Sequence, residues 1–109
     1  MKRVLIADDE PIERMIVTRT IQKYFPEELA VVSAVNGREA VEQFFAENCQ
    51  IALLDIEMPG MSGLEAAEQI RERDKNCSII FLTAFDEFNY AKRAIAVRAM
   101  EYLLKPVVD

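Results

Sequence analysis

The chain contains no histidine among its 109 residues. That one absence removes His-based catalytic triads, zinc sites with imidazole ligands and a histidine phosphoacceptor together. Glycine is scarce, at three, and no glycine-rich phosphate loop is present. Cys49 and Cys77 are the only cysteines. Nothing in the sequence suggests export, so both are read as reduced thiols of a cytoplasmic protein rather than as a disulfide. Positive charge is thin as well: 13 Lys and Arg against 19 Asp and Glu leave −6 at pH 7, and no basic run exceeds two residues. Such a chain is poorly equipped to grip nucleic acid itself. Long apolar runs are missing. No segment approaches a membrane span, and the stretch after Lys2-Arg3 is too short for a signal peptide and is broken by acids.

What is present fits one globular domain. The composition is 51% hydrophobic and 29% charged, which is that of a folded domain rather than a disordered tail. Short apolar runs alternate with longer amphipathic stretches. Strands are expected at Arg3 to Ala7, Ala30 to Val35, Ile51 to Asp55, Ser78 to Thr83 and Glu101 to Leu104. The first helix should open at Pro11, a favoured first-turn position, and stop before Pro26, with Val17, Ile21 and Tyr24 on its inner face. Asn36 should cap the second, which turns Val41, Phe44 and Phe45 inward. Ser62-Gly63-Leu64-Glu65 reads as a capping box for the third, with Leu64, Ala67 and Ile70 as its stripe. The fourth should run from about Glu87 to Val97 on Phe88, Ala91 and Ile95.

This β-α-β alternation implies a doubly wound parallel sheet with helices on both faces. Only Val107-Val108-Asp109 follow Lys105-Pro106, so the fifth strand has no helix after it. We expect the chain, residues 1–109, to be the amino-terminal fragment of a longer protein that lacks its last helix; a natural domain of five strands and four helices is the alternative.

Chemistry is concentrated at strand ends. Asp8 and Asp9 follow Val4-Leu5-Ile6-Ala7, and Asp55 follows Ile51-Ala52-Leu53-Leu54, ahead of a Pro59-Gly60 turn. The carboxyl ends of parallel strands form the ligand crevice of open α/β sheets. Carboxylates about 4 Å apart repel by roughly 4 kcal/mol at an effective dielectric of 20, which a hard cation such as Mg²⁺ or Mn²⁺ relieves. Taken alone, Asp8-Asp9-Glu10 serves equally well as a helix cap. Lys105 alone is an ordinary strand-end lysine, and Thr83 alone an ordinary β-branched strand residue. Their convergence on one rim is what carries weight.

Together these segments resemble the receiver domain of bacterial two-component response regulators. The resemblance rests on Val4-Leu5-Ile6-Ala7-Asp8-Asp9-Glu10-Pro11, on Leu54-Asp55-Ile56-Glu57-Met58-Pro59-Gly60-Met61-Ser62-Gly63-Leu64, on Leu82-Thr83-Ala84 and on Tyr102-Leu103-Leu104-Lys105-Pro106. It implies a flavodoxin-like strand order 2-1-3-4-5. It also implies that Asp55 is a phosphoacceptor served by a sensor histidine kinase. Asp8 or Asp9, Asp55 and the Glu57 backbone carbonyl would hold Mg²⁺, with Mn²⁺ as a substitute. Lys105, aimed by a cis peptide to Pro106, would pair with a phosphoryl oxygen. Thr83 and the Ala84 amide would close on the added group, and Tyr102 would swing inward when Thr83 moves. Asp55 is ionised near neutral pH, so this chemistry needs no general base.

Glu57 and Phe85, each two residues beyond a site residue, are candidates for tuning phosphoryl lifetime; Phe85 serves equally as packing for the fourth helix. The stretch Thr83 to Ala91 resembles, more weakly, receivers whose output is an AraC-type DNA-binding domain. The expected partners are therefore the kinase, an output domain outside this chain, and a second copy through the fourth helix and fifth strand, with self-association altered in the fragment. No direct nucleic-acid or membrane contact is expected. The chain is expected to be a regulatory domain rather than an enzyme. One alternative is an interaction module that is never phosphorylated. Another is an Mg²⁺-dependent phosphohydrolase with an aspartate nucleophile, although that class wants a second Asp where Glu57 stands.

Overall fold

A computed structural model of the chain describes residues 1–84 and 88–105. The apolar runs form β1 (Lys2–Ala7), β2 (Leu29–Ala34), β3 (Ile51–Leu54), β4 (Ser78–Thr83) and β5 (Glu101–Leu104). The amphipathic stretches form α1 (Pro11–Tyr24), α2 (Gly37–Ala46), α3 (Gly63–Arg73) and α4 (Phe88–Ala96). All pairings are parallel, in the order β2-β1-β3-β4-β5. The sheet order reverses between β1 and β3, which puts the crevice at their carboxyl ends. Ala7 stands opposite Leu54 in register, so Asp8 and Asp55 leave neighbouring strands side by side.

Local chemistry sets the helix starts. The Asn36 side chain accepts the Glu39 amide at 2.8 Å ahead of α2. At α3 the capping box closes in both directions: Ser62 Oγ accepts the Glu65 amide at 3.2 Å, and Glu65 Oε1 accepts the Ser62 amide at 3.3 Å. Pro11 opens α1, whose N-cap Glu10 makes no side-chain capping bond. Strand and helix limits fall within a residue or two of those expected, as frayed ends allow.

The two faces of the sheet are covered unequally. Leu5, Ala7, Ala52, Leu54, Ile79 and Phe81 are buried in one core with Val41 and Phe44 of α2, Leu64, Ala67 and Ile70 of α3, and Ala94 of α4. The opposite face carries α1. Beside it lies an apolar groove of about 160 Å³ lined by Ile16, Val17, Ile21, Leu53, Leu82 and Leu103. Leu103 and Leu104 are exposed.

Two expected inward residues point out instead. Tyr24 is 52% exposed at the last turn of α1, a helix that lies against β1 and β2 and fully buries none of its residues. Ile95 is 78% exposed. Ala94 and Val97 face the core in its place, and one helical residue is about 100° of rotation. The side chain of Phe88 lies outside the described residues.

Candidate functional site

The crevice is assembled by backbone bonds before any side chain meets another. The Asp55 amide donates to the Ala7 carbonyl at 2.9 Å and the Asp8 amide to Ala34 at 3.2 Å. These bonds extend the β1 ladders by one residue and hold both aspartates at the rim. The loop after β3 folds back on itself, with Met58 and Gly63 amides both donating to the Ile56 carbonyl, at 3.1 and 2.9 Å. Gly60 takes φ +74° in that loop, a conformation glycine adopts at no steric cost. Gly63 is needed for another reason. A Cβ there would lie 1.9 Å from the Asp55 carbonyl oxygen, so only glycine lets α3 start against the Asp55 backbone.

One carboxylate oxygen from each of Asp8, Asp9 and Asp55 lies within 4.8 Å of the others. Asp8 and Asp55 are buried, at 3% and 6% exposure, whereas Asp9 is exposed. Asp8 is divided between two tasks. Its Oδ1 accepts the Glu10 amide at 3.0 Å, and its Oδ2 accepts from Lys105 Nζ at 2.8 Å. The same ammonium lies 3.7 Å from Asp55 Oδ2 and 3.9 Å from Glu13 Oε2. Arg14 Nη1 donates to the Asp8 carbonyl at 2.6 Å.

Burial raises the Asp55 carboxyl to about 6, and the charges of Asp8 and Asp9 add to the rise; Lys105 and the Ile56 amide oppose it. Burial also acts against the Lys105 ammonium, but its hydrogen bond to Asp8 and the charges of Asp55, Asp8 and Glu13 outweigh that, so its pKa is raised. The site is therefore short of positive charge. The three converging carboxylates, two of them paired with Lys105, form an all-oxygen donor set that fits a hard divalent cation.

Thr83 is wholly buried at the end of β4, and its carbonyl accepts the Lys105 amide at 2.8 Å. Ala84 follows it at the surface. Tyr102 is half-buried on β5, opposite Phe81 in register, with its ring tilted against that phenyl at 6.5 Å between centroids. Glu57 is exposed, and its carboxylate is not among the three that converge; it accepts a hydrogen bond from the Tyr90 hydroxyl on α4. Phe85 and Pro106 lie outside the described residues. Glu13 and Tyr90 were not expected here. Glu13 carried a signal, since the first turn of α1 opens onto the same rim; Tyr90 carried none.

A doubly wound sheet with paired acids after β1, a lone aspartate after β3 and a lysine after β5 defines a class of α/β phosphoryl- or metal-handling domains. The chain belongs to the response regulator receiver domain family, which matches residues 4–109. It is 42% identical to the positive alginate biosynthesis regulatory protein of Pseudomonas aeruginosa over 95% of this chain and 41% of that protein. It is 37% identical to the chemotaxis protein CheY of Thermotoga maritima over 96% of this chain and 86% of that one. Among solved structures, the response regulator protein TrrA of Thermotoga maritima in complex with Mg²⁺–BeF is similar at TM-score 0.85 and 42% identity, covering 97% of this chain and 88% of that one. The chain thus spans about two-fifths of the alginate regulator and most of the two Thermotoga proteins. It is a receiver domain of the two-component type, a phosphoacceptor signalling switch.

Proposed function

We propose that Asp55 is the phosphorylated residue and that a sensor histidine kinase supplies the phosphoryl group. The observation that carries this reading is the position of Asp55, with Lys105 Nζ 3.7 Å from its Oδ2 and two further carboxylates converging on it. In the transfer, an Asp55 oxygen attacks phosphorus as the P–N bond of the phosphohistidine breaks. The imidazole leaves with the bonding pair, and an acyl phosphate remains. Phosphoryl transfer of this kind depends on alignment and charge neutralisation rather than on a general base.

Asp8, Asp9, Asp55 and the Glu57 backbone carbonyl would hold Mg²⁺, or Mn²⁺ in its place. When bound, the cation neutralises charge on the phosphoryl oxygens. Lys105 would bind one of those oxygens, and Thr83 and the Ala84 amide another. Tyr102, on the strand beside Thr83, would follow its movement. Glu57 and Phe85 would set how easily water reaches the acyl phosphate. To shift a resting balance of 1:99 to 99:1, the new contacts must favour the active form by about 5.5 kcal/mol.

In this reading the chain is the receiver, residues 1–109, of a cytoplasmic regulator. It would control a DNA-binding output domain and pair with a second copy through α4 and β5. It turns over no substrate of its own beyond gaining and slowly losing one phosphoryl group.

The test is a beryllofluoride titration followed by the fluorescence of Tyr90 and Tyr102. Saturable binding that requires both Mg²⁺ and Asp55 is expected. Binding that survives Asp55→Asn, or no binding with Mg²⁺ present, would overturn the reading in favour of an unphosphorylated interaction module. Sustained hydrolysis of a generic phosphate ester would instead indicate a phosphohydrolase.

A further inference from the structure

Glu57 stands two residues beyond Asp55, one of three carboxylates that already converge. A fourth carboxylate at that position has two options: to join the cluster, or to be held away from it. Here it is held away. Tyr90 donates its hydroxyl to Glu57 Oε1 across 33 positions of sequence, and the Tyr90 ring packs against the main core from α4. The donor is therefore fixed by packing rather than free to follow the carboxylate.

We infer that Tyr90 is a positioning residue that parks the Glu57 carboxylate on the α4 side of the crevice and keeps it out of the cation site. The physical case is one of charge. Metal affinity in oxygen-ligand sites rises with the number of charged ligands. An additional carboxylate would tighten cation binding, but it would also direct negative charge at an incoming phosphoryl anion. Parking Glu57 leaves its backbone carbonyl available as the proposed cation ligand while its carboxylate is engaged by a hydroxyl of another element. The same bond ties α4 to the loop that follows Asp55. This inference rests on the cation reading given above and goes beyond it to a residue on α4.

The experiment is calorimetric titration of Mg²⁺ into the wild-type chain, Tyr90→Phe, Glu57→Gln and the double variant. Tyr90→Phe keeps the packed ring and removes only the hydroxyl. We expect it to bind Mg²⁺ about two- to tenfold more tightly, the equilibrium equivalent of one net hydrogen bond, and to bind beryllofluoride more weakly at saturating Mg²⁺. The double variant should show no gain over Glu57→Gln, because the charge that Tyr90 restrains is then absent. Unchanged or weaker Mg²⁺ binding by Tyr90→Phe would overturn the inference, as would a gain that persists in the double variant. Those results leave the cation site intact. By contrast, a wild-type chain that binds no Mg²⁺, or binds it independently of Asp55, would remove the cation reading and this inference with it.

Discussion

Lys105 is bonded to Asp8, not to Asp55: its Nζ is 2.8 Å from Asp8 Oδ2 and 3.7 Å from Asp55 Oδ2. The ammonium therefore neutralises the first strand's acid and lies within a short movement of the third strand's. A phosphoryl group on Asp55 would compete with Asp8 for it. Breaking a buried ion pair from one side leaves the other charge uncompensated, at a cost of roughly 3–5 kcal/mol. We expect Lys105→Ala to lower the stability of the metal-free chain by about that amount at pH 7, and by less once Mg²⁺ is added. Urea unfolding with and without the cation measures both.

Asp55 gives the site a pH dependence of definite sign. Its folded pKa, about 6, lies above the unfolded value of roughly 3.9. Its contribution is thus fully present below about pH 4 and is lost as pH rises through about 6. At 1.36 kcal/mol per unit this amounts to about 2–3 kcal/mol. The metal-free wild type should lose that much between pH 4 and 7 relative to Asp55→Asn, which should be the more stable protein at pH 7. Saturating Mg²⁺ should restore the wild type and leave the variant much less affected. Chemical denaturation of both proteins across the range is the measurement; parallel curves would contradict the electrostatic account.

Gly63→Ala should damage the site from behind. The added methyl would meet the Asp55 carbonyl oxygen at 1.9 Å, so the α3 start or the Asp55 backbone must shift. Overpacking typically costs about 1–3 kcal/mol. We expect a destabilisation in that range or above it, together with slower phosphorylation of whatever remains folded. Thermal melts and a phosphodonor time course check the two parts separately.

If Phe85 tunes phosphoryl lifetime as proposed, Phe85→Asn should shorten the life of the phosphorylated form, a small polar side chain being a weaker obstacle to water than a phenyl group. Loss of the phosphoryl group after donor removal gives the rate directly. An unchanged rate would assign Phe85 to packing.

The strands were legible because their side chains are unambiguous, whereas their order came from the resemblance to receiver domains. Val4-Leu5-Ile6-Ala7 and Ile79-Ile80-Phe81-Leu82 are continuous apolar runs, as strands covered on both faces must be. The capping residues Asn36 and Ser62 were equally plain, since their side-chain chemistry is local. The rotation of α4 was not legible. Ala91, Ala94, Ile95 and Val97 offer apolar residues on adjoining faces, and only packing against the core selects Ala94 and Val97 over the larger Ile95. The cluster of Asp8, Asp9, Asp55 and Lys105 could be anticipated because each stands at a strand end. The bond from Tyr90 to Glu57 could not, because it joins a helix face to a distant loop with no periodicity to announce it. Gly63 was hidden differently: within Ser62-Gly63-Leu64-Glu65 it looks like filler in a capping box, and its need arises only from the approach of Asp55.

Arg71 bears on how α4 can respond. It is a buried cation at the end of α3 that donates to the carbonyls of Val97 at 2.7 Å, Cys77 at 2.8 Å, and Asp74 and Arg98 at 3.3 Å. The bonds to Val97 and Arg98, just past the end of α4, moor its carboxyl end to α3. Nearer its start, α4 is held by the exposed pairs Tyr90–Glu57 and Arg93–Glu68, which water weakens. The helix is a lever with its fulcrum at its carboxyl end, and the arm that carries Tyr90 is the one nearest the phosphoryl site.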